Sequence, residues 1–196
     1  ELEAAGRAGW APQSSALEQG LGTLVVLAAA LLVARIEHLT PSRYGLPMRS
    51  AFGAKFCEGS IWGFAAVSVL VAMIAIGGGY HASGFTHAGP ELVRLTLLWL
   101  VAMIFLGLYE ELLFRGYALA ALTDGLGFWA AALLLSAAFS AMHYFLKPME
   151  NVADALSVGL IGLFLCFSLR RTGSLWFAIG FHFAFDFAAL PFYGAP

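Results

Sequence analysis

Six stretches of this chain, 17–36, 60–79, 92–122, 126–146, 152–169 and 174–193, each approach the roughly 20 consecutive apolar residues that a helix needs to cross a bilayer. With 61% hydrophobic residues, 11% charged and a mean hydropathy of +0.84, the expected solvent is lipid. The breaks are short and carry the punctuation of turns, such as Gly77-Gly78-Gly79, Pro90, Gly125-Leu126-Gly127, Lys147-Pro148 and Arg171-Thr172-Gly173. The longest, Glu37 to Gly59, reads as a loop with a short interfacial helix. The fold class expected is an all-α, polytopic transmembrane bundle of about six spanning helices, in one domain from 17 to 196 after a polar segment 1–16.

Alternating the breaks between the two sides puts Arg35, Arg43, Arg49, Lys55, Arg170 and Arg171 on one side, and Arg94 and Lys147 on the other. The first side is therefore the cytoplasmic one. The opening stretch to about Gln19 lacks the basic and apolar pattern of a secretory signal, and a chain starting at Glu1 is expected to be trimmed or partial, with room for a helix upstream. A net charge of -2 offers no basic field for nucleic acid. Cys57 and Cys166 form neither a CxxC pair nor a disulfide framework, and Cys166 reads as a small buried hydrophobe. Gly159, Gly162 and Gly180 read as close-packing positions between helices.

Ionisable side chains inside apolar spans cost several kcal/mol by insertion scales and mark functional sites by default. They are few here: Glu110, Glu111 and Arg115 in the third span, His143 at the end of the fourth, and His182 and Asp186 among phenylalanines in the sixth. Residues four apart share a helix face, so Glu111 can pair with Arg115 while Glu110 is turned about 100° away. His182 and Asp186 share a face too, where the carboxylate can fix the imidazole tautomer or both can point at one ligand. Measured from the cytoplasmic side, Glu110, His143, His182 and Asp186 fall at roughly 18, 25, 12 and 18 Å. Taken singly, each has a structural reading, a helix-stabilising pair or an interfacial histidine. Their convergence on one depth argues for a single intramembrane site. His38, His81 and His87 fall in polar connections and are expected to be solvated.

These residues carry a resemblance. Glu110-Glu111 followed after three residues by Arg115, Phe139 and His143 separated by three, and His182 followed after three by Asp186 resemble, in order, the motifs of the CPBP family of intramembrane proteases. That family includes the type II CAAX prenyl proteases and the bacteriocin-processing and immunity homologues. The likeness runs from about Tyr44-Gly45-Leu46 to Phe192. It implies an endopeptidase in which Glu110 and His143 activate a water, and His182 and Asp186 stabilise the oxyanion, with Glu111, Arg115 and Phe139 in support. It also implies a peptide or protein substrate, prenylated or not, in contact with membrane lipid, and a bacterial or archaeal plasma membrane as the location. Well-studied members carry Asn at the last motif position. An ionised Asp186 can only accept hydrogen bonds, which leaves it three roles: protonated donor, orienter of His182, or metal ligand. The family is described as metalloproteases. The chain lacks the HExxH helix of zincins, yet Glu110, His143, His182 and Asp186 could together ligate zinc. Two other readings stay open: a proton-coupled carrier, since Glu, His and Asp also form proton relays, and a non-catalytic immunity or scaffold homologue.

Overall fold

The computed structural model of the chain describes residues 11–146 and 151–194. The Lys147-Pro148 break and most of the polar N-terminal segment lie outside the described residues. Helix α1, Pro12–Ile36, begins ahead of the apolar run, because extended Ala11 followed by Pro12 at the first helical position suits a helix start. Helix α2, Ala54–Ile76, sits earlier than the expected 60–79, starting after extended Gly53 and stopping where Gly77-Gly78-Gly79 begins. Helix α3, Gly89–Glu111, runs into a π-helical turn, Leu112–Gly116, and then into α4, Tyr117–Leu126. Together these form one span of 38 residues. Helix α5 is Phe128–Leu146. Helix α6, Val152–Thr172, opens on a capping box in which Asn151 and Asp154 satisfy each other's backbone N–H groups. Helix α7, Leu175–Phe187, ends in a second π turn, Ala188–Phe192.

Among the described residues there is no strand, and six helices are long and apolar enough to cross a membrane. Large apolar side chains such as Leu24, Ile61, Trp62, Val69, Leu133 and Leu160 point outward. A surface this apolar on α1, α2, α3, α5 and α6 is what lipid contact requires, and the chain is a multi-pass membrane protein. The α1–α2 connection carries its short helical structure as two 3₁₀ turns, Pro41–Tyr44 and Met48–Ser50. Left-handed Gly45 (φ 73°) and Pro47 interrupt anything longer. Cys57 is exposed and Cys166 buried, both as free thiols, and His38, His81 and His87 are exposed.

The two ends of the bundle are tied as alternating connections require. At the arginine-rich end, the Leu175 N–H donates to Gly45 O (2.6 Å), Trp176 Nε1 to Pro47 O (3.2 Å) and Arg43 to Asp124 (2.8 Å). The hydroxyls of Tyr44 and Tyr117 both donate to Glu37. Burial first, and then that carboxylate, push the Tyr44 phenol above its ordinary pKa, so it stays a donor at physiological pH. At the other end, Tyr80 OH donates to Tyr193 O and Tyr193 OH to Ser68 Oγ.

The core is built on α7, whose residues from Leu175 to Ala184 are all buried. It packs on α2, α3 and α6, while α1 lies along α3, and α5 packs chiefly on α6 and α4. The α2–α7 contact is backbone against backbone. A Cβ at Gly59 or Gly63 would run into the carbonyls of Phe177 or Phe181, and one at Gly180 into that of Phe56. The Gly63→Val variant is therefore expected to lower the thermal midpoint in detergent, or to abolish folding, by the ~1–3 kcal/mol or more of overpacking. Gly125→Ala, which meets nothing within 4 Å, is expected to leave the midpoint within a degree or two of wild type. Equal midpoints for both variants would contradict the close approach.

Candidate active site

The first motif sits where α3 changes geometry. The α-helical ladder ends at Glu111, the next five residues form the π turn, and at Gly116 the backbone leaves helical geometry (ψ -119°) before α4 resumes. Short π segments occur often at functional sites, because one inserted residue re-aims the side chains around it. A uniform helix over 92–122 was the expectation, and only Gly116 signals the change in the sequence. Glu111 and Arg115 nevertheless pair: Arg115 Nη1 donates to Glu111 Oε1 at 3.0 Å, with 0% of either side chain exposed.

Around this pair the bundle supplies what two buried charges need. The Arg115 guanidinium lies over the Phe139 ring, 4.4 Å from its centroid, so its charge faces a π cloud. Its Nε and Nη2 make no hydrogen bond among the described residues. Gly162 of α6 makes room for it, since a Cβ there would stand 2.8 Å from Nη2. Close helix packing, the role the sequence assigns to Gly162, here serves a side chain. Glu111 Oε1 also meets His182 Nδ1 of α7 at 2.8 Å. That contact joins residues 71 apart and has no local signature in the sequence.

The other face of His182 turns to the remaining carboxylates. Its Nε2 lies 3.4 Å from Asp186 Oδ2, one turn along α7, and 3.5 Å from Glu110 Oε2 of α3. The same Glu110 oxygen is 3.9 Å from His143 Nε2 of α5. His143 Nδ1 lies 3.0 Å from the Phe139 carbonyl. A carbonyl only accepts, so Nδ1 carries the hydrogen, and in the neutral ring Nε2 is left with its lone pair towards Glu110. Phe139 thus serves three neighbours, the Arg115 charge, the His143 ring tilted against it 4.4 Å away and the His182 ring edge-on at 6.1 Å.

All seven residues singled out in the sequence meet in this cluster, contributed by α3 with its π turn, α5 and α7. The heights estimated from the sequence counted α7 from an exposed start, whereas Ser174 and Leu175 are buried and the Leu175 N–H is bonded to Gly45 of the 41–50 connection. Glu110, His143 and His182 are nearly closed off, and Asp186, 23% exposed, is the most open member.

Glu110, His143, His182 and Asp186 could together ligate zinc by their chemistry, but among the described residues no group of three or more His, Cys, Asp or Glu is set to hold a metal ion. Over residues 92–188 the sequence matches the model of the family described as type II CAAX prenyl endopeptidase Rce1-like. Over these residues the chain is similar to the Rce1-like family. The matched segment runs from the first turns of α3 to the end of α7 and contains every member of the cluster. Comparison with curated proteins and with solved structures gives no match. That likeness to a protease family supports an endopeptidase, and the matched segment coincides with the part of the bundle that builds the polar cluster.

Removing one partner of a fully buried ion pair leaves the other charge stranded, at a cost of about 3–5 kcal/mol. Arg115→Met is accordingly expected to destabilise the protein severely, and Glu111→Gln with Arg115→Met to recover much of the loss. Chemical unfolding in detergent measures both. Additive losses would mean that the two side chains do not act as a pair.

Proposed function

We propose that the chain is an intramembrane endopeptidase in which Glu110 and His143 activate a water and His182, held by Glu111 and Asp186, receives the oxyanion. The observation that carries this reading is the gap between Glu110 Oε2 and His143 Nε2. At 3.9 Å the two are too far apart for a direct hydrogen bond. A water about 2.8 Å from each would subtend about 90°, close enough to tetrahedral to donate one hydrogen to each acceptor. Its lone pairs then point away from both, towards a substrate carbonyl.

In the attack, the water oxygen bonds to the carbonyl carbon as one of its protons moves to Glu110, and the C=O π pair becomes the oxyanion. A His182 with a hydrogen on each ring nitrogen gives one to Glu111 and has the other, on Nε2, to offer the oxyanion. Asp186 beside that nitrogen orients the ring and balances its charge. On collapse the oxyanion re-forms the carbonyl, the C–N bond breaks, and Glu110 returns its proton to the leaving amine. Low dielectric favours this cycle, because a carboxyl shielded from water exchanges a proton more readily with a neutral reactant than one solvated as an anion. Arg115 acts at one remove, neutralising Glu111 so that it can hold His182.

The substrate proposed is a peptide or protein segment at the membrane, a prenylated CAAX C-terminus in the first instance, in line with the Rce1-like family match. The test is cleavage of a fluorogenic prenylated CAAX peptide, beside its unprenylated form, by detergent-purified protein. Glu110→Ala and His143→Ala are each expected to lose about 100-fold or more, the typical share of general acid–base catalysis. Activity is expected to survive a strong chelator. Wild-type rates in both variants would sink the mechanism, and loss on chelation would assign the water's activation to a metal.

Asp186 offers a second test. If it acts by accepting from His182, Asn presents the same carbonyl oxygen and Ala presents nothing. Asp186→Asn is expected to keep most of kcat and Asp186→Ala to lose it. Equal loss in both would require the negative charge itself.

A further inference from the structure

A second feature lies on the opposite side of the π turn from the carboxylates. A cavity of about 290 Å³ opens at the arginine-rich end, between the α1–α2 connection, α4 and the end of α6. Arg43, Arg115 and Arg170 line it, with the hydroxyl residues Ser42 and Thr123, and no carboxylate is among its lining residues. The charges are unequally matched. Arg115 is paired with Glu111 inside the bundle. Arg43 holds both oxygens of Asp124 at 2.8 Å, in a pair whose side chains are 50% and 62% exposed. Arg170 has no carboxylate partner among the described residues and rests its guanidinium on the Phe128 ring, 4.5 Å from the centroid. The cavity therefore presents one unmatched cation and a second whose exposed pair is worth little and is readily exchanged. Its deeper wall, Leu119, Ala120, Phe128 and Leu169, is apolar.

We propose that this cavity binds a phosphate anion, with Arg43 and Arg170 as its two cationic ligands. The apolar wall favours a phosphate carried by an anionic phospholipid over free phosphate. By the distribution of Lys and Arg in the sequence, this end faces the cytoplasm, where anionic headgroups meet basic pockets between helices. A planar guanidinium offers two parallel N–H donors to phosphate oxygens, so two arginines from separate elements suit such a group. Asp124 is the built-in competitor. The site is independent of the proposed peptidase chemistry, and its test requires no turnover.

The experiment uses the whole chain in a neutral maltoside detergent, with phosphatidylglycerol, phosphatidylcholine or inorganic phosphate added in turn. Thermal midpoint and lipid retained in native mass spectrometry are the readouts. Phosphatidylglycerol is expected to raise the midpoint and stay bound, and phosphatidylcholine to do neither. Arg43→Ala with Arg170→Ala is expected to weaken retention by about fivefold per arginine. Asp124→Asn, which removes the competitor and leaves both arginines, is expected to tighten it. An equal shift with inorganic phosphate would identify the free anion as the source and keep the site, whereas a shift with phosphatidylglycerol alone would identify the lipid. No shift with either anion, an equal shift with phosphatidylcholine, or retention unchanged in the arginine variant would overturn the proposal. If the arginine variant does not fold, Asp124→Asn decides: retention unchanged or weakened there overturns it as well.

Discussion

A guanidinium and a carboxylate with no exposed surface, in the middle of a bundle surrounded by hydrocarbon, set the terms for everything near them. Arg115 and Glu111 are each too costly to bury alone and tolerable only together. Their pairing spends one Glu111 oxygen on both Arg115 and His182, so the ion pair that neutralises the interior also sets the orientation of an imidazole on another helix. Phe139 and Gly162 follow from the same requirement, one giving the guanidinium a π face and the other giving it room. The π turn beginning at Leu112 is the backbone's part, carrying the chain from the carboxylates of α3 to Arg115 and on to α4.

The helices that carry the cluster are held with unequal stringency. Helix α7 is pressed against α2 by glycines that bring backbone to backbone, and its first turn is fastened under the α1–α2 connection through Leu175 and Trp176. His182 is thereby set on the best-buried helix of the bundle. His143 arrives differently, on α5, which packs chiefly along its neighbours α4 and α6 and reaches the cluster at its tip. The 3.9 Å between Glu110 and His143 spans the boundary between these two groups of helices. A small shift of α5 would change that separation while leaving the contacts of His182 with Glu111 and Asp186 intact.

Much of this was legible in the sequence because a membrane simplifies the reading. Every backbone polar group must be satisfied within its own segment, so an apolar run of bilayer length can only be a helix, and ionisable residues inside such runs stand out against it. Hence six spans followed from the apolar runs, and Glu110, Glu111, Arg115, His143, His182 and Asp186 stood out within them, while Phe139 came only with the family resemblance. The pairing of Glu111 with Arg115 and of His182 with Asp186 needed only the helical repeat. Helix ends were less legible: Pro12 and Gly53 set the starts of α1 and α2 by local backbone preference, and the hydropathy of the run does not register them.

What the tertiary structure alone decided is how those residues face one another. That Glu111 reaches His182, that Glu110 lies between two imidazoles, and that Gly162 is there for Arg115 all depend on helix rotation and depth, to which spacing along one chain is blind. The depth of α7 shows why. Its start is fixed by a hydrogen bond to Gly45, some 130 residues away, and no count of rises along a single helix contains that contact. Sequence by itself determined which charges enter the membrane, because their cost is local. Packing determined which of them meet, because a charge pair in hydrocarbon is stable only where several helices close around it at once.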